Sequence, residues 1–190
     1  RRDYSLGRAK FFSRISTLML SLILGGIGFL ILVIIIFATQ VPSPEQLTSR
    51  DIAQATKIYD RNGELLYDIF KNQNRSPVKL EEIPTVVKQA TISVEDKDFY
   101  KHQGFAVIGI GRSVFELVVY RRIGGGGSTL TQQLVKNALL SGERTITRKI
   151  KEFILAIQVE RAYSKDQILE MYLNEIPYGG TAYGIEAAAS

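Results

Sequence analysis

Three carboxylates stand within four positions at Glu95, Asp96 and Asp98, and the only histidine of the chain, His102, follows them. Like charges this close disfavour one another's ionisation, so each raises the pKa of the next. A glutamate raised in this way is a usable proton acceptor near neutral pH. The setting adds to the effect. Pro84 suits a first helical turn, and Val86, Val87, Ala90 and Val94 recur at helical spacing, which predicts a helix ending near Glu95. The negative end of that helix's dipole would push Glu95 further up. A solvated acidic helix end accounts for the same residues equally well. The stretch alone leaves both readings open.

The elements that must position these groups are helical from Pro84 onward. Thr129 and Gln132 fit a capping box at the start of a helix whose buried face is Leu130, Leu134, Ala138 and Leu139, with Gln133, Lys136 and Asn137 on other faces. A second helix covers roughly 145–162 with an apolar face of Ile146, Ile150, Phe153, Ile154 and Ile157. Arg148 and Glu152 lie together on its opposite side with Lys149 beside them. Taken alone, that is a surface ion pair worth under ~1 kcal/mol. A third helix starts at Ser164, which forms a capping box with Gln167. It carries Ile168, Leu169, Tyr172, Leu173 and Ile176 inward, and stops before Pro177. Upstream, residues 57–69 read as a β-hairpin turning at Asn62-Gly63, the strongest short turn signal in the chain. Residues 105–123 are mostly apolar and read either as a buried core helix or as an amphipathic element dipping into a membrane face. The glycines at 124–127 form a flexible loop.

The charge pattern bounds what this scaffold serves. Of the net +5, +4 sits in residues 1–14, where five basic groups face one acid, so the remainder carries only +1. A nucleic-acid binder needs its basic patch in the folded part. Residues 15–44 hold no charge, and Leu18–Ala38 is almost wholly Leu, Ile, Val, Phe and Gly. Twenty-one helical residues span about 32 Å, close to a bilayer's hydrocarbon core. The segment reads as one transmembrane helix. A cleavable signal peptide would be shorter and end in small residues, which Phe37-Ala38-Thr39-Gln40 does not offer. The basic flank places the N-terminus in the cytoplasm and everything after Thr39 outside. With no cysteine, the outer part relies on a hydrophobic core. The chain starts at Arg1 and ends within the pattern Ala187–Ser190, which reads as a piece of a longer protein at both ends.

Four stretches, in order, resemble the signature blocks of the bacterial peptidoglycan glycosyltransferases. These form glycosyltransferase family 51, found in the N-terminal part of class A penicillin-binding proteins and in monofunctional transglycosylases. They are VEDKDFYKHQGF at 94–105, GGSTLTQQLVKN at 126–137, RKIKE at 148–152 and KDQILEMYLNEIPYG at 165–179; GTAYGIEAAAS at 180–190 looks like the start of a fifth. The resemblance covers about residues 57–190.

The resemblance implies a mainly α, lysozyme-like glycosyltransferase domain, truncated, preceded by one transmembrane helix and a short β-hairpin. The expected division is a cytoplasmic basic tail (1–14), the membrane helix (15–39), a linker with the hairpin (40–80) and a glycosyltransferase domain incomplete at its C-terminus (81–190). The implied reaction polymerises lipid II into β-1,4 glycan strands with inversion, with polyprenyl pyrophosphate leaving. Glu95 matches the general base and Glu152 the second essential glutamate. Lys136, Arg148 and Lys149 match the pyrophosphate-holding cations. Ser128, Thr129, Gln132, Gln133 and Asn137 match polar positions lining the cleft. Asp96, Phe99, His102 and Gly104 match the first block and are expected to shape it rather than react, and Asn174 and Tyr172 are expected to be mainly structural supports. No cofactor is required, although a divalent cation, Mg or Mn, at the pyrophosphate is compatible. The implied partners are lipid II, the growing lipid-linked glycan, the membrane and other cell-wall synthesis proteins, with no nucleic acid. The implied location is the bacterial cytoplasmic (inner) membrane, single-pass, with the catalytic domain outside. The rival readings are a membrane-anchored lytic enzyme, which would not need the three cations, and a non-catalytic cell-wall scaffold.

Overall fold

The computed structural model describes residues 2–50, 55–70, 73–106, 119, 127–140, 142 and 145–189. They fall into two units, Arg1–Gln40 and Val41–Ser190. The first is a single helix, α1 (Arg2–Ala38). Its Ser13–Ala38 stretch is long and apolar enough to cross a membrane, and none of its apolar window is buried. The helix begins inside the basic tail, where residues 2–14 contain no proline and only one glycine, Gly7.

The second unit opens with a short helix, α2 (Gln46–Ser49), and a hairpin of β1 (Thr56–Tyr59) and β2 (Leu65–Ile69). The strands are antiparallel, with Ile58 opposite Tyr67. The turn falls one residue earlier than Asn62-Gly63 suggests. Gly63 N–H donates to the Asp60 carbonyl at 3.1 Å, which centres the turn on Arg61-Asn62, and Gly63 takes the left-handed conformation (φ 84°). The Asp60 carboxylate accepts from the Asn62 and Glu64 amides, both at 2.8 Å, and this favours the longer loop over a two-residue one.

Next come β3 (Asn74–Arg75), a 3-10 turn at Leu80–Glu82 and α3 (Thr85–Glu95), which ends on Glu95 as its sequence predicts. Its inward face differs from the expected one: Val86 and Val94 are 70% and 81% exposed, while Val87 and Ile92 pack on the core. Two apolar stripes overlap on this helix, and the one carrying Ile92 presents the larger side chain. The apolar segment 107–118 and Gly124–Gly126 lie outside the described residues.

Three helices build the core: α4 (Leu130–Leu139), α5 (Ile146–Ala162) and α6 (Lys165–Glu175). Leu130, Leu134 and Val135 of α4 meet Leu155 and Val159 of α5 and Ile168, Leu169 and Leu173 of α6, together with Phe99. Each such side chain contributes about 1.5–3 kcal/mol when fully buried. Ser164 and Gln167 form the complete capping box; at Thr129 the hydroxyl half forms, accepting from the Gln132 amide, and the same hydroxyl donates to Gly104 O.

After Pro177 the chain forms a small sheet that helical patterning did not predict. Its order is β3–β5–β4, with β4 (Pro177–Gly179) antiparallel and β3 parallel to β5 (Ala182–Tyr183). Strands of two or three residues carry no readable alternation. A last helix, α7 (Ile185–Ala189), follows.

Candidate active site

Glu95 is exposed at the C-terminal end of α3, and among the described residues one side chain holds it. Gln133 of α4 donates from Nε2 to Glu95 Oε2 at 2.9 Å. The amide oxygen of Gln133 faces the hydroxyl of Tyr172 on α6, which donates to it at 3.4 Å. Burial pushes the Tyr172 phenol well above its usual range, and the nearby Glu95 carboxylate adds to the push. The half-exposed Tyr178 of β4 is raised by partial burial first and by Glu95 second. Two neutral phenols therefore lie within the electrostatic reach of the carboxylate. Buried tyrosines need a partner for the hydroxyl. Among Ile168, Leu169, Leu173 and Ile176, Tyr172 is the one inward residue with such a need, and that was the available signal for its role.

The other acids of the cluster point elsewhere. Both Asp96 oxygens lie 2.9 Å from His102 Nε2, and Oδ2 also accepts from the Leu130 amide at 3.0 Å. Asp96 therefore satisfies a free amide at the positive end of α4, and its neighbour Glu95 is held at that place. Asp98 is exposed and pairs with Lys101, whose hydrogen bond and charge hold its carboxyl below the usual range. Gly104 closes the turn at φ 84°. A Cβ there would sit 2.9 Å from Ala156 O, so only glycine lets the loop lie against α5.

A second cluster gathers on α5. Glu152 is 1% exposed, which corrects the surface position expected from the helical wheel. The buried side of α5 is Glu152, Ile154, Leu155, Ala156 and Val159, so Ile154 of the expected face is buried, whereas Ile146 is 58% exposed. The carboxylate enters the interior because two cations from the preceding turn accompany it. Lys149 Nζ donates to Glu152 Oε2 at 2.8 Å and to Ser128 Oγ at 2.7 Å. Arg148 Nε lies 3.2 Å from Oε1, close enough for an ion pair but outside hydrogen-bonding geometry. Two cations on one carboxylate leave the cluster net positive.

Thr129 and Gln132 are buried within the structure around the start of α4. Lys136 and Asn137 follow Gln133 by three and four residues, so they share its face of α4, and neither has a partner among the described residues. Asn174 clamps the backbone of Val78 through its amide at 2.9 Å on both sides. Sequence reasoning missed Glu175, which is buried between Arg50 and Arg75. Among the described residues, no three His, Cys, Asp or Glu side chains assemble a metal-binding group.

The helical core, the apolar helix and the two polar clusters on α3–α6 define a mainly α, lysozyme-like transglycosylase domain. The family model described as Transglycosylase matches residues 62–190, and the chain belongs to that family. It is 40% identical over 186 residues, 98% of its length, to penicillin-binding protein 1F of Bacillus subtilis (strain 168), of which it covers 25%. It is 44% identical to penicillin-binding protein 1A of Aquifex aeolicus (strain VF5), over 86% of this chain and 22% of the relative. With penicillin-binding protein 1A of Neisseria cinerea the identity is 39%, over 90% and 21%. The chain thus spans about a quarter or less of the length of these curated relatives.

Proposed function

We propose that this chain is the glycosyltransferase part of a membrane-anchored protein that polymerises lipid II into β-1,4 glycan strands. The observation that carries the reading is Glu95, an exposed carboxylate at a helix end, oriented by an amide and with two neutral phenols within its electrostatic reach. Glu95 takes the proton of the acceptor's 4-hydroxyl as that oxygen bonds to the donor's anomeric carbon. The bond from that carbon to the pyrophosphate breaks on the opposite face, so configuration inverts. The leaving diphosphate gathers negative charge. The Arg148–Lys149–Glu152 cluster, with a surplus of positive charge, and Lys136, which has no partner among the described residues, stabilise it. Both substrates are lipids, and α1 holds the unit at the bilayer where they reside, with the second unit outside. A divalent ion, where present, would help neutralise the charge of the leaving diphosphate beside Lys136, Arg148 and Lys149.

The test is Glu95→Gln, which keeps the shape and removes the base. Polymer formation from purified lipid II should fall by about 10²–10⁴-fold. Polymerisation at the wild-type rate would remove Glu95 from the mechanism, and cleavage of existing glycan without polymer would make the protein lytic.

A further inference from the structure

We propose that Gln133 and Tyr172 form a relay that positions and tunes Glu95, with Gln133 serving the base rather than the substrate. The inference rests on Glu95 being the base. A carboxylate has no proton to donate, so the Gln133 atom 2.9 Å from Glu95 Oε2 must be its NH₂ group. The amide oxygen then faces Tyr172, whose raised phenol stays protonated and donates at 3.4 Å. Tyr172 is 3% exposed, fixed in the core by α6, and its hydroxyl reaches no other group among the described residues. The amide therefore has one orientation in which both ends are satisfied. The reversed amide would aim oxygen at carboxylate and NH₂ at a donor hydroxyl. Gln133 itself rides on α4, whose first amide is held by Asp96, the residue after Glu95. The base and its clamp thus share a mount.

Two consequences follow for Glu95. Oε2 is occupied by the amide, and Oε1 has no partner among the described residues, so Oε1 is the oxygen that receives the proton. A hydrogen bond donated to the ionised carboxylate favours that form. Gln133 thereby supports the ionised carboxylate through Oε2, while the nearby phenols supply no positive charge. The titratable groups facing Glu95 from the packed elements are Tyr172 and Tyr178, with Lys136 one turn further along α4. Asp96 is engaged by His102 and Asp98 by Lys101.

The test measures lipid II polymerisation by the full chain in detergent, as a function of pH and substrate, for Gln133→Leu, Gln133→Glu, Tyr172→Phe and the Leu/Phe double variant. Gln133→Leu should lower kcat about tenfold with KM nearly unchanged, and move the acid limb of the pH profile up by roughly half a unit to one unit. Gln133→Glu should move it further, because a second carboxylate then faces the first. Tyr172→Phe should give a smaller loss alone and none when Gln133 is already Leu. Gln133→Asn, whose amide falls one methylene short, repeats the test with a polar side chain should the leucine variant not fold. A raised KM with a fixed acid limb would overturn the proposal and make Gln133 a substrate contact. So would additive losses in the double variant. Glu95→Gln run alongside separates the two failures. If Glu95→Gln stays active, the base assignment falls; if it is inactive while the Gln133 variants keep wild-type profiles, only the relay falls.

Discussion

Replacing Glu175 by Gln should destabilise the second unit by about 3 kcal/mol. Glu175 is the last residue of α6, where a negative charge opposes the helix dipole. It is nevertheless 4% exposed, because two arginines meet it. Arg75 Nη1 and Nη2 donate to its two oxygens at 2.8 and 3.2 Å, and Arg50 also donates to Oε2. Removing one partner of a buried pair costs about 3–5 kcal/mol, since the remaining charge stays desolvated. The Arg75 side chain is only 8% exposed and bears that cost. Arg50 is 27% exposed and also donates to Ala138 O, so it recovers part of its loss from water and backbone. The glutamine keeps one acceptor. These reliefs place the expected cost at the low end of the range. For a unit of this size each kcal/mol moves Tm by about 2–4 °C, so the midpoint should fall by roughly 6–12 °C. Thermal unfolding followed by circular dichroism reads this directly. Adding Arg75→Met to Glu175→Gln should recover part of the loss, because the cost lies in an uncompensated cation. A midpoint within about 2 °C of wild type, or a double variant worse than the sum of the singles, would refute the reasoning.

Gly104→Ala should cost about 2–4 kcal/mol, read by the same melt, since it combines a left-handed backbone with a Cβ 2.9 Å from Ala156 O. Gly142→Ala, which meets nothing within 4 Å, is the matched control and should leave the melt unchanged. Alkaline pH should destabilise the unit through Tyr172 and Tyr178. Both phenols are raised above the ordinary value of 10, so their contribution is whole below that pH and is lost as pH climbs through the folded values. A near-ultraviolet titration of the nine tyrosines should find Tyr172 ionising only as the unit unfolds, and Tyr172→Phe should remove that late step.

Local signals were legible in the sequence because their causes are local. An uncharged run fixes α1, Ser164 with Gln167 fixes the start of α6, and Pro84 with the acidic run places Glu95 at a helix end. The burial of Glu152 was not legible. A helical wheel assigns a glutamate flanked by Arg148 and Lys149 to solvent, yet that flanking is what permits its burial. Arg50, Arg75 and Glu175 lie 100 residues or more apart where they pair across to α6, so no periodicity connects them. The small sheet joins residue 74 to residue 182 through strands too short to pattern.

The two clusters of the site are held in relation by one short segment rather than by a contact between them. Over residues 128–133, Ser128 accepts from Lys149, Thr129 donates to Gly104 O, the Leu130 amide donates to Asp96 and Gln133 donates to Glu95. Thr131 adds a fifth tie, donating at 2.5 Å to Glu160, a carboxylate that Lys165 also holds. Polar side chains thus fill positions where a plain amphipathic helix would carry apolar ones, and each anchors a different part of the fold. A base acting on one sugar and cations acting on a departing diphosphate must keep a set separation while the substrate bridges them. Such a separation is most rigid when both are referenced to the same helix start, and α4 is that reference. This also explains why the buried Thr129 stands in the block beside residues proposed to meet substrate: its hydroxyl holds the first turn of α4, accepting from the Gln132 amide, and the positions of Glu95 and Lys149 both depend on that turn.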